Sequence, residues 1–76
     1  MLTLNFYTTS ACHLCDTASA MLTEIDMSTK IITIDIANDD LLIQQYGTRI
    51  PVLKRDDTQL ELEWPFTLND LQKYIS

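Results

Sequence analysis

Two cysteines, Cys12 and Cys15, lie between two stretches of different hydrophobic period, and this placement constrains the fold more than any other feature. Before them, residues 2–7 alternate between apolar and polar side chains, which predicts a strand that ends near Tyr7. After them, apolar side chains recur at helical spacing, so a helix is predicted to begin at about Cys12. The apolar residues at helical spacing are Leu14, Ala18, Met21, Leu22 and Ile25. Both thiols are therefore expected at the start of a helix.

The middle of the chain predicts a second strand and a second helix. Residues 30–36 are rich in isoleucine, which favours a strand in the interior of a sheet. Asn38 is predicted to cap the second helix through its side-chain oxygen, and this helix is predicted to run to Tyr46. Gly47, the single glycine of the sequence, is predicted to provide a left-handed C-terminal cap.

The last third of the chain predicts a hairpin and a final helix. Residues 51–55 and 59–64 form the hairpin, which adds an antiparallel edge to the sheet. Pro65 ends the last strand, and Thr67 with Asp70 resembles a capping box. The inward positions of the final helix are Leu68, Leu71 and Ile75. We therefore predict an α/β fold in the order β-α-β-α-β-β-α, a four-stranded mixed sheet flanked by helices, with a parallel βαβ half.

Size and composition narrow the class of protein. The 76 residues are enough for one domain, residues 1–76, and 46% hydrophobic content favours a packed core. The net charge of −6 argues against nucleic-acid binding, which requires neutralisation of phosphates. No apolar stretch reaches the roughly 18 residues of a membrane span, and residues 1–6 do not resemble a secretory signal. We therefore expect a cytoplasmic monomer without a membrane or nucleic-acid partner.

The chemistry predicted for the two thiols is disulfide exchange. Backbone N–H groups at a helix start stabilise a thiolate and lower a cysteine pKa from about 8.5 to roughly 3.5–7.5. Cys12 is therefore expected to attack a substrate disulfide, and Cys15 to resolve the mixed disulfide that results. A protonated His13 would stabilise the Cys12 thiolate, whereas Asp16 would oppose it by like charge. The predicted catalytic residues are Cys12 and Cys15, with His13 tuning the thiolate.

Other interpretations of the cysteines remain open. A zinc site needs about four ligands, and Cys12, His13 and Cys15 supply three without the usual spacing, so no metal ligands are predicted. Two chains could share a metal or an iron–sulfur cluster through Cys12 and exogenous thiols. The dithiol could also be vestigial in a domain that binds a partner, or the cysteines could be small buried hydrophobic residues. The acidic residues Asp35, Asp39 and Asp40 are interpreted as strand-end and helix-capping charges.

Three sequence anchors resemble the small glutaredoxin-like family of thioredoxin-fold proteins. They are Tyr7-Thr8 with Cys12-His13-Leu14-Cys15-Asp16, then Tyr46-Gly47-Thr48-Arg49-Ile50-Pro51-Val52-Leu53, and Trp64-Pro65-Phe66. The resemblance implies a thioredoxin-like fold and a thiol-disulfide oxidoreductase involved in redox homeostasis. It also implies that the Ile50–Pro51 bond is cis and faces the dithiol, and that the backbone of Ile50 pairs with the substrate like an added strand.

The same resemblance guides the expected substrates and partners. Arg49 and Lys54 flank the proline loop and are interpreted either as groups that meet a substrate carboxylate, with Arg49 as the predicted substrate-binding residue, or as solvated surface charges. The substrate is a disulfide-containing protein or a low-molecular-weight thiol, and a reductase is a candidate partner. No permanently bound cofactor is expected, and glutathione is a candidate co-substrate. The chain departs from glutaredoxins at Thr9-Ser10-Ala11 and at 64–66, where a basic residue and a glycine-glycine turn usually stand. Tyr7 and Trp64 are interpreted either as groove residues or as packing residues.

Overall fold

The computed structural model describes residues 2–25 and 28–76. Its elements are β1 (Thr3–Thr8), α1 (His13–Leu22), β2 (Lys30–Asp35), α2 (Asp40–Tyr46), β3 (Val52–Arg55), β4 (Glu61–Glu63) and α3 (Leu68–Ile75). The strands form one sheet in the order β2-β1-β3-β4, in which β2 is parallel to β1 and the other neighbours are antiparallel. The predicted α/β fold class and the order of its elements are confirmed.

Strand register defines two ends of this sheet. At one end β1 and β2 both finish, with Thr8 opposite Asp35, and β3 begins with Val52 opposite Tyr7. Because α1 follows β1 after four residues, the cysteines lie at this end, which we call the dithiol end. We call the other end of the strands, where Leu4 pairs with Arg55, the far end.

The sheet separates two apolar cores because successive strand residues point to opposite faces. The larger core lies against α1 and α3, and its buried residues are Leu4, Phe6, Cys15, Ala18, Leu22, Ile25, Leu53, Phe66 and Leu71. The smaller core lies against α2 and consists of Tyr7, Ile36, Tyr46 and Val52. In β3, Val52 and Leu53 are both fully buried, one in each core. The dithiol therefore belongs to the larger core.

The predicted position of β2 is wrong, because this strand forms an edge of the sheet. Ile32 is exposed, as are Lys30, Thr33 and Asp35. Isoleucine favours a pleated, half-buried surface, and this preference does not distinguish a central strand from an edge strand. The hairpin prediction is confirmed, with shorter strands than predicted, and β4 forms the second, antiparallel edge.

Both predicted caps of α2 are corrected. Asp39, rather than Asn38, is the N-cap, and its carboxylate accepts hydrogen bonds from the N–H groups of Leu41 and Leu42 at 3.0 and 3.2 Å. Gly47 has a right-handed φ of −54°, so it is not a left-handed cap. A Cβ atom at Gly47 would lie 2.5 Å from the carbonyl oxygen of Ile43. Close backbone approach, rather than backbone conformation, therefore explains this glycine.

The observed α1 and α3 agree more closely with the predictions from the sequence than α2 does. α1 begins at His13 with Cys12 as N-cap, and it ends at Leu22, before Ile25. Leu14, one of the apolar residues at helical spacing, is 49% exposed, because the buried Cys15 occupies the inward position of that turn. The capping box of α3 is confirmed, and its apolar positions pack on the larger core, with Leu71 fully buried. Within the described ranges, no helix is long and apolar enough to cross a bilayer.

Candidate active site

Cys12 and Cys15 form a disulfide at the start of α1. Their Cα atoms are 5.2 Å apart, and the N–H of Cys15 donates a hydrogen bond of 3.1 Å to the Sγ atom of Cys12. Ala11, just before the pair, has a positive φ of 59°, which turns the chain from β1 into the helix. Cys15 is 2% exposed, whereas Cys12 is half-buried. Cys12 is therefore the more accessible sulfur and the one that an amide N–H contacts.

The proline loop lies at the same end of the sheet. The Ile50–Pro51 bond is cis, as the resemblance predicted, and Pro51 is buried immediately before β3. Its carbonyl accepts a hydrogen bond of 3.2 Å from the N–H of Trp64. Ile50 packs against both cores, while Cys12 packs against the larger core that contains Cys15. The topology thus places Ile50, Pro51 and the dithiol at the same end of the sheet, with Ile50 and Cys12 packed against the same core.

The side chains that surround the disulfide on α1 face solvent. His13, Leu14 and Asp16 are all exposed, and the carbonyl of His13 accepts a hydrogen bond of 3.2 Å from the Thr17 hydroxyl. His13 is the first residue of α1, at the helix start that the sequence predicted for the cysteine pair. Leu14 adds an exposed apolar surface between the two cysteines.

Arg49, the predicted carboxylate receptor, is held by two carboxylates of the protein itself. Its Nε atom donates to Glu63 at 2.9 Å, and its Nη2 atom lies 2.6 Å from Glu61. Its Nη1 atom donates to the carbonyl of Gln45 at 3.1 Å, at the end of α2. Hydrogen bonds to Glu61 and Glu63 raise the pKa of Arg49. The guanidinium therefore ties the segment before Pro51 to β4.

Two stacked tyrosines continue this network into the smaller core. The rings of Tyr7 and Tyr46 lie 4.1 Å apart, and Arg49 lies 5.2 Å above the Tyr46 ring. The Tyr46 hydroxyl donates to Glu61 at 2.7 Å. Burial, followed by this hydrogen bond, raises the pKa of Tyr46. Burial alone would raise the pKa of Glu61, but hydrogen bonds from Arg49 and Tyr46 lower it overall.

The structure also shows where Tyr7, Trp64 and Lys54 lie, the three residues that the sequence placed near the site. Tyr7 is a packing residue, because only 8% of it is exposed and its ring stacks on Tyr46. Trp64 is half-buried and meets Phe66 edge to face, with the ring centroids 5.0 Å apart. Lys54 lies in the middle of β3, opposite Asn5 and Glu61, rather than in the proline loop.

The roles of Glu61 and Glu63 as partners of Arg49 were missed by the sequence analysis. The available signal was their spacing of two, which places both carboxylates on one face of the strand paired with β3. Within residues 2–25 and 28–76, no three His, Cys, Asp or Glu side chains lie together in a way that could hold a metal ion.

Comparisons with known proteins agree with the fold described above. A family model described as "Glutaredoxin-like domain (DUF836)" matches residues 3–76. The X-ray structure of Northeast Structural Genomics target protein XcR50 from X. campestris is similar, with 33% identity, a TM-score of 0.82, and coverage of 95% of this chain and 93% of that chain. Its solution structure shows 35% identity and the same TM-score of 0.82, with coverage of 99% and 92%.

A third solved structure is more distant in sequence. The solution structure of protein Ne2328 from Nitrosomonas europaea is 26% identical, with a TM-score of 0.80 and coverage of 99% of this chain and 92% of that chain. No curated protein matches the chain.

Proposed function

Because the chain belongs to the family of glutaredoxin-like domains, we propose that it is a thiol-disulfide oxidoreductase in which Cys12 and Cys15 carry two electrons. The observation that carries this proposal is the placement of a bonded cysteine pair at the N-cap of α1. Cys12 accepts an amide hydrogen bond and is the more exposed sulfur. Hydrogen bonding to the charged form and the positive end of a helix both favour a thiolate.

The proposed reaction starts from the reduced dithiol. The Cys12 thiolate attacks one sulfur of a substrate disulfide, the substrate S–S bond breaks, and the leaving thiolate takes up a proton. The thiolate of Cys15 then attacks the Sγ atom of Cys12. This second exchange releases the other substrate thiol and forms the Cys12–Cys15 disulfide seen in the structure. Each cycle oxidises the dithiol by two electrons and reduces one substrate disulfide.

We propose that the substrate docks on the proline loop. The N–H of Ile50 already donates to the carbonyl of Tyr46 at 3.0 Å, so we assign substrate pairing to the Ile50 carbonyl. We assign Arg49 to substrate binding through its hold on this loop, which Pro51 joins to β3. His13 is assigned to the support of the Cys12 thiolate through its charge when protonated.

The proposed setting follows from the chemistry. A dithiol reductant needs a compartment that keeps thiols reduced, so we place the protein in the cytoplasm. Its partners are a disulfide-bearing protein or small disulfide and a system that restores the dithiol, either a reductase or glutathione. The reaction requires no permanently bound cofactor.

Reduction of the uncharged disulfide of 2-mercaptoethanol tests this function. The reduced protein is expected to consume one equivalent, faster than dithiothreitol does at equal thiol concentration. Cys12→Ser is expected to abolish the reaction, and Cys15→Ser is expected to accumulate a mixed disulfide at Cys12, detected by intact mass. Asp57→Asn, at the far end, is the folded control and is expected to retain the rate. Full activity of Cys12→Ser would refute the proposal.

The ionisation of Cys12 provides an independent measurement. The pH dependence of iodoacetamide alkylation in Cys15→Ser is expected to give a pKa for Cys12 below the value of about 8.5 for a free cysteine. A thiol that reacts only at alkaline pH would instead support a domain that binds a partner without turnover.

A further inference from the structure

Positive side chains are distributed unevenly between the two ends of the sheet. Of the five lysines and arginines in the sequence, Lys30 and Arg55 lie at the far end, opposite Thr3 and Leu4. Lys73 also lies there, since the carbonyl of its neighbour Tyr74 bonds to Arg55. Lys54 is in the middle of β3, where it faces Glu61 across the strands. Arg49 is therefore the one lysine or arginine at the dithiol end.

The charge of Arg49 is offset by its own partners. Its Nη2 atom lies 2.6 Å from both Glu61 and Glu63, and the Glu63 carboxylate is 52% exposed. Glu63 lies opposite Val52, the residue after Pro51. Glu61 also faces Lys54 across the strands, so Glu63 is the more exposed carboxylate of this group and the one nearer to the proline loop. A substrate carboxylate at this position would compete with Glu61 and Glu63 for the same guanidinium.

Carboxylates collect at the dithiol end because all three helices begin there. Acidic side chains in a first turn or at an N-cap interact favourably with the positive end of a helix. The acidic residues at this end are Asp16, Asp35, Asp39, Asp40, Glu63 and Asp70. In contrast, the described acidic residues of the far end are Glu24, Asp56 and Asp57, which match the three basic residues there in number. Within residues 2–25 and 28–76, the excess of acidic over basic side chains thus lies at the dithiol end.

We propose that the acidic side chains of the dithiol end, above all Glu63, make the site selective for disulfides carried by cationic peptide or protein segments, and that they disfavour anionic disulfides. This inference rests on the proposed oxidoreductase function and specifies its substrate class. Fields from like charges grouped at one end raise the local concentration of oppositely charged substrates and increase association rates. The effect is screened by salt, because the Debye length falls from about 30 Å at 0.01 M to about 3 Å at 1 M.

Three small disulfides of similar length but different charge test how the charge of the substrate affects the rate of reduction. Cystamine is a dication, the disulfide of 2-mercaptoethanol is uncharged, and 3,3′-dithiodipropionate is a dianion. The rate constant of the reduced protein with each is divided by that of dithiothreitol, whose only charge is that of its reacting thiolate, to remove intrinsic reactivity and the effect of the thiolate's own charge. At about 0.01 M ionic strength, the normalised rates are expected to fall in that order, with about a threefold to tenfold span between the dication and the dianion. At about 1 M salt the span is expected to collapse.

A matched pair of variants assigns the selectivity to the dithiol end. Glu63→Gln and Asp57→Asn each remove one exposed carboxylate, but only Glu63 lies at the dithiol end. Glu63→Gln is expected to reduce the cystamine to dithiodipropionate ratio at least twofold, while Asp57→Asn is expected to leave it unchanged. Equal normalised rates for the three disulfides, or equal shifts in both variants, would overturn the inference.

Failure of the substrate inference and failure of the proposed function give different results. A protein that reduces the uncharged disulfide through Cys12 without any charge preference refutes the inference alone. A protein that reduces none of the three disulfides faster than dithiothreitol refutes the proposed function itself.

Discussion

Two arginines form similar contacts at opposite ends of the sheet: Arg49, which precedes β3, and Arg55, the last residue of β3. Arg49 lies above the ring of Tyr46 and binds Glu61 and Glu63, which are 12 and 14 residues away. Arg55 lies 6.0 Å from the Tyr74 ring and binds Asp57, only two residues away in the hairpin turn. Arg55 also donates to the carbonyl of Tyr74. At the far end, Arg55 therefore links the turn between β3 and β4 to α3. At the dithiol end, the same chemistry joins distant segments around the proline loop.

Replacement of the tyrosine next to each arginine by alanine is expected to give the largest difference in unfolding free energy between the two ends. Tyr46 is 1% exposed and stacks on Tyr7, whereas Tyr74 is half-buried. Tyr46→Ala is expected to cost about 3–5 kcal/mol of unfolding free energy, because it creates a cavity and removes the ring stack. Tyr74→Ala is expected to cost less in the same urea titration. An equal or larger loss for Tyr74→Ala would contradict the asymmetry.

Removal of only the tyrosine hydroxyl groups refines the comparison. The Tyr46 hydroxyl donates to the carboxylate of Glu61, whereas the Tyr74 hydroxyl donates to the carbonyls of Leu53 and Leu60. Hydrogen bonds to charged groups contribute about 1.5–3 kcal/mol and those between neutral groups about 0.5–1.5 kcal/mol. Tyr46→Phe is therefore expected to destabilise the protein more than Tyr74→Phe does, as measured by urea unfolding at pH 7. The reverse order would place the stronger bond at the far end.

Acid titration tests the network through Glu61. Its pKa is lowered in the folded protein, so its ionised form adds stability above the ordinary carboxyl pKa, and this stability is lost as pH falls through the lowered value. Glu61→Gln is expected to cost about 1 kcal/mol at pH 7, and the difference from the unmodified protein is expected to shrink below about pH 4. Urea unfolding at pH 7, 5 and 3 measures this difference. A cost that is independent of pH would exclude the ionised carboxylate as its source.

The smallest effect is expected at Asp57. The hydrogen bond from Arg55 is the main cause that lowers the pKa of Asp57 to about 2, but the Asp57 side chain is 52% exposed to solvent. Exposed ion pairs contribute little to stability, so Asp57→Asn is expected to leave the urea midpoint at pH 7 nearly unchanged. A clear loss would show that the far end depends on its ion pair as strongly as the dithiol end does.

Local sequence patterns predicted the features that depend on neighbours in the chain. The alternation of residues 2–7 identified β1, and Thr67 with Asp70 identified the capping box of α3. The errors arose where chemically similar neighbours compete or where the partner is distant. Asp39 displaced Asn38 as the N-cap because both have a suitable side-chain oxygen and only the chain path selects one. Leu14 is exposed because Cys15 takes the inward position of the same turn.

The sequence by itself determined the element order and the position of the cysteines at a helix start, because periodicity and capping depend on residues within a few positions of one another. Only the tertiary structure decided that β2 is an edge strand and that Arg49 binds Glu61 and Glu63. The same holds for the collection of acidic residues at one end of the sheet. These features depend on which distant segments pair, and strand pairing is selected by the packing of the whole core rather than by any local pattern.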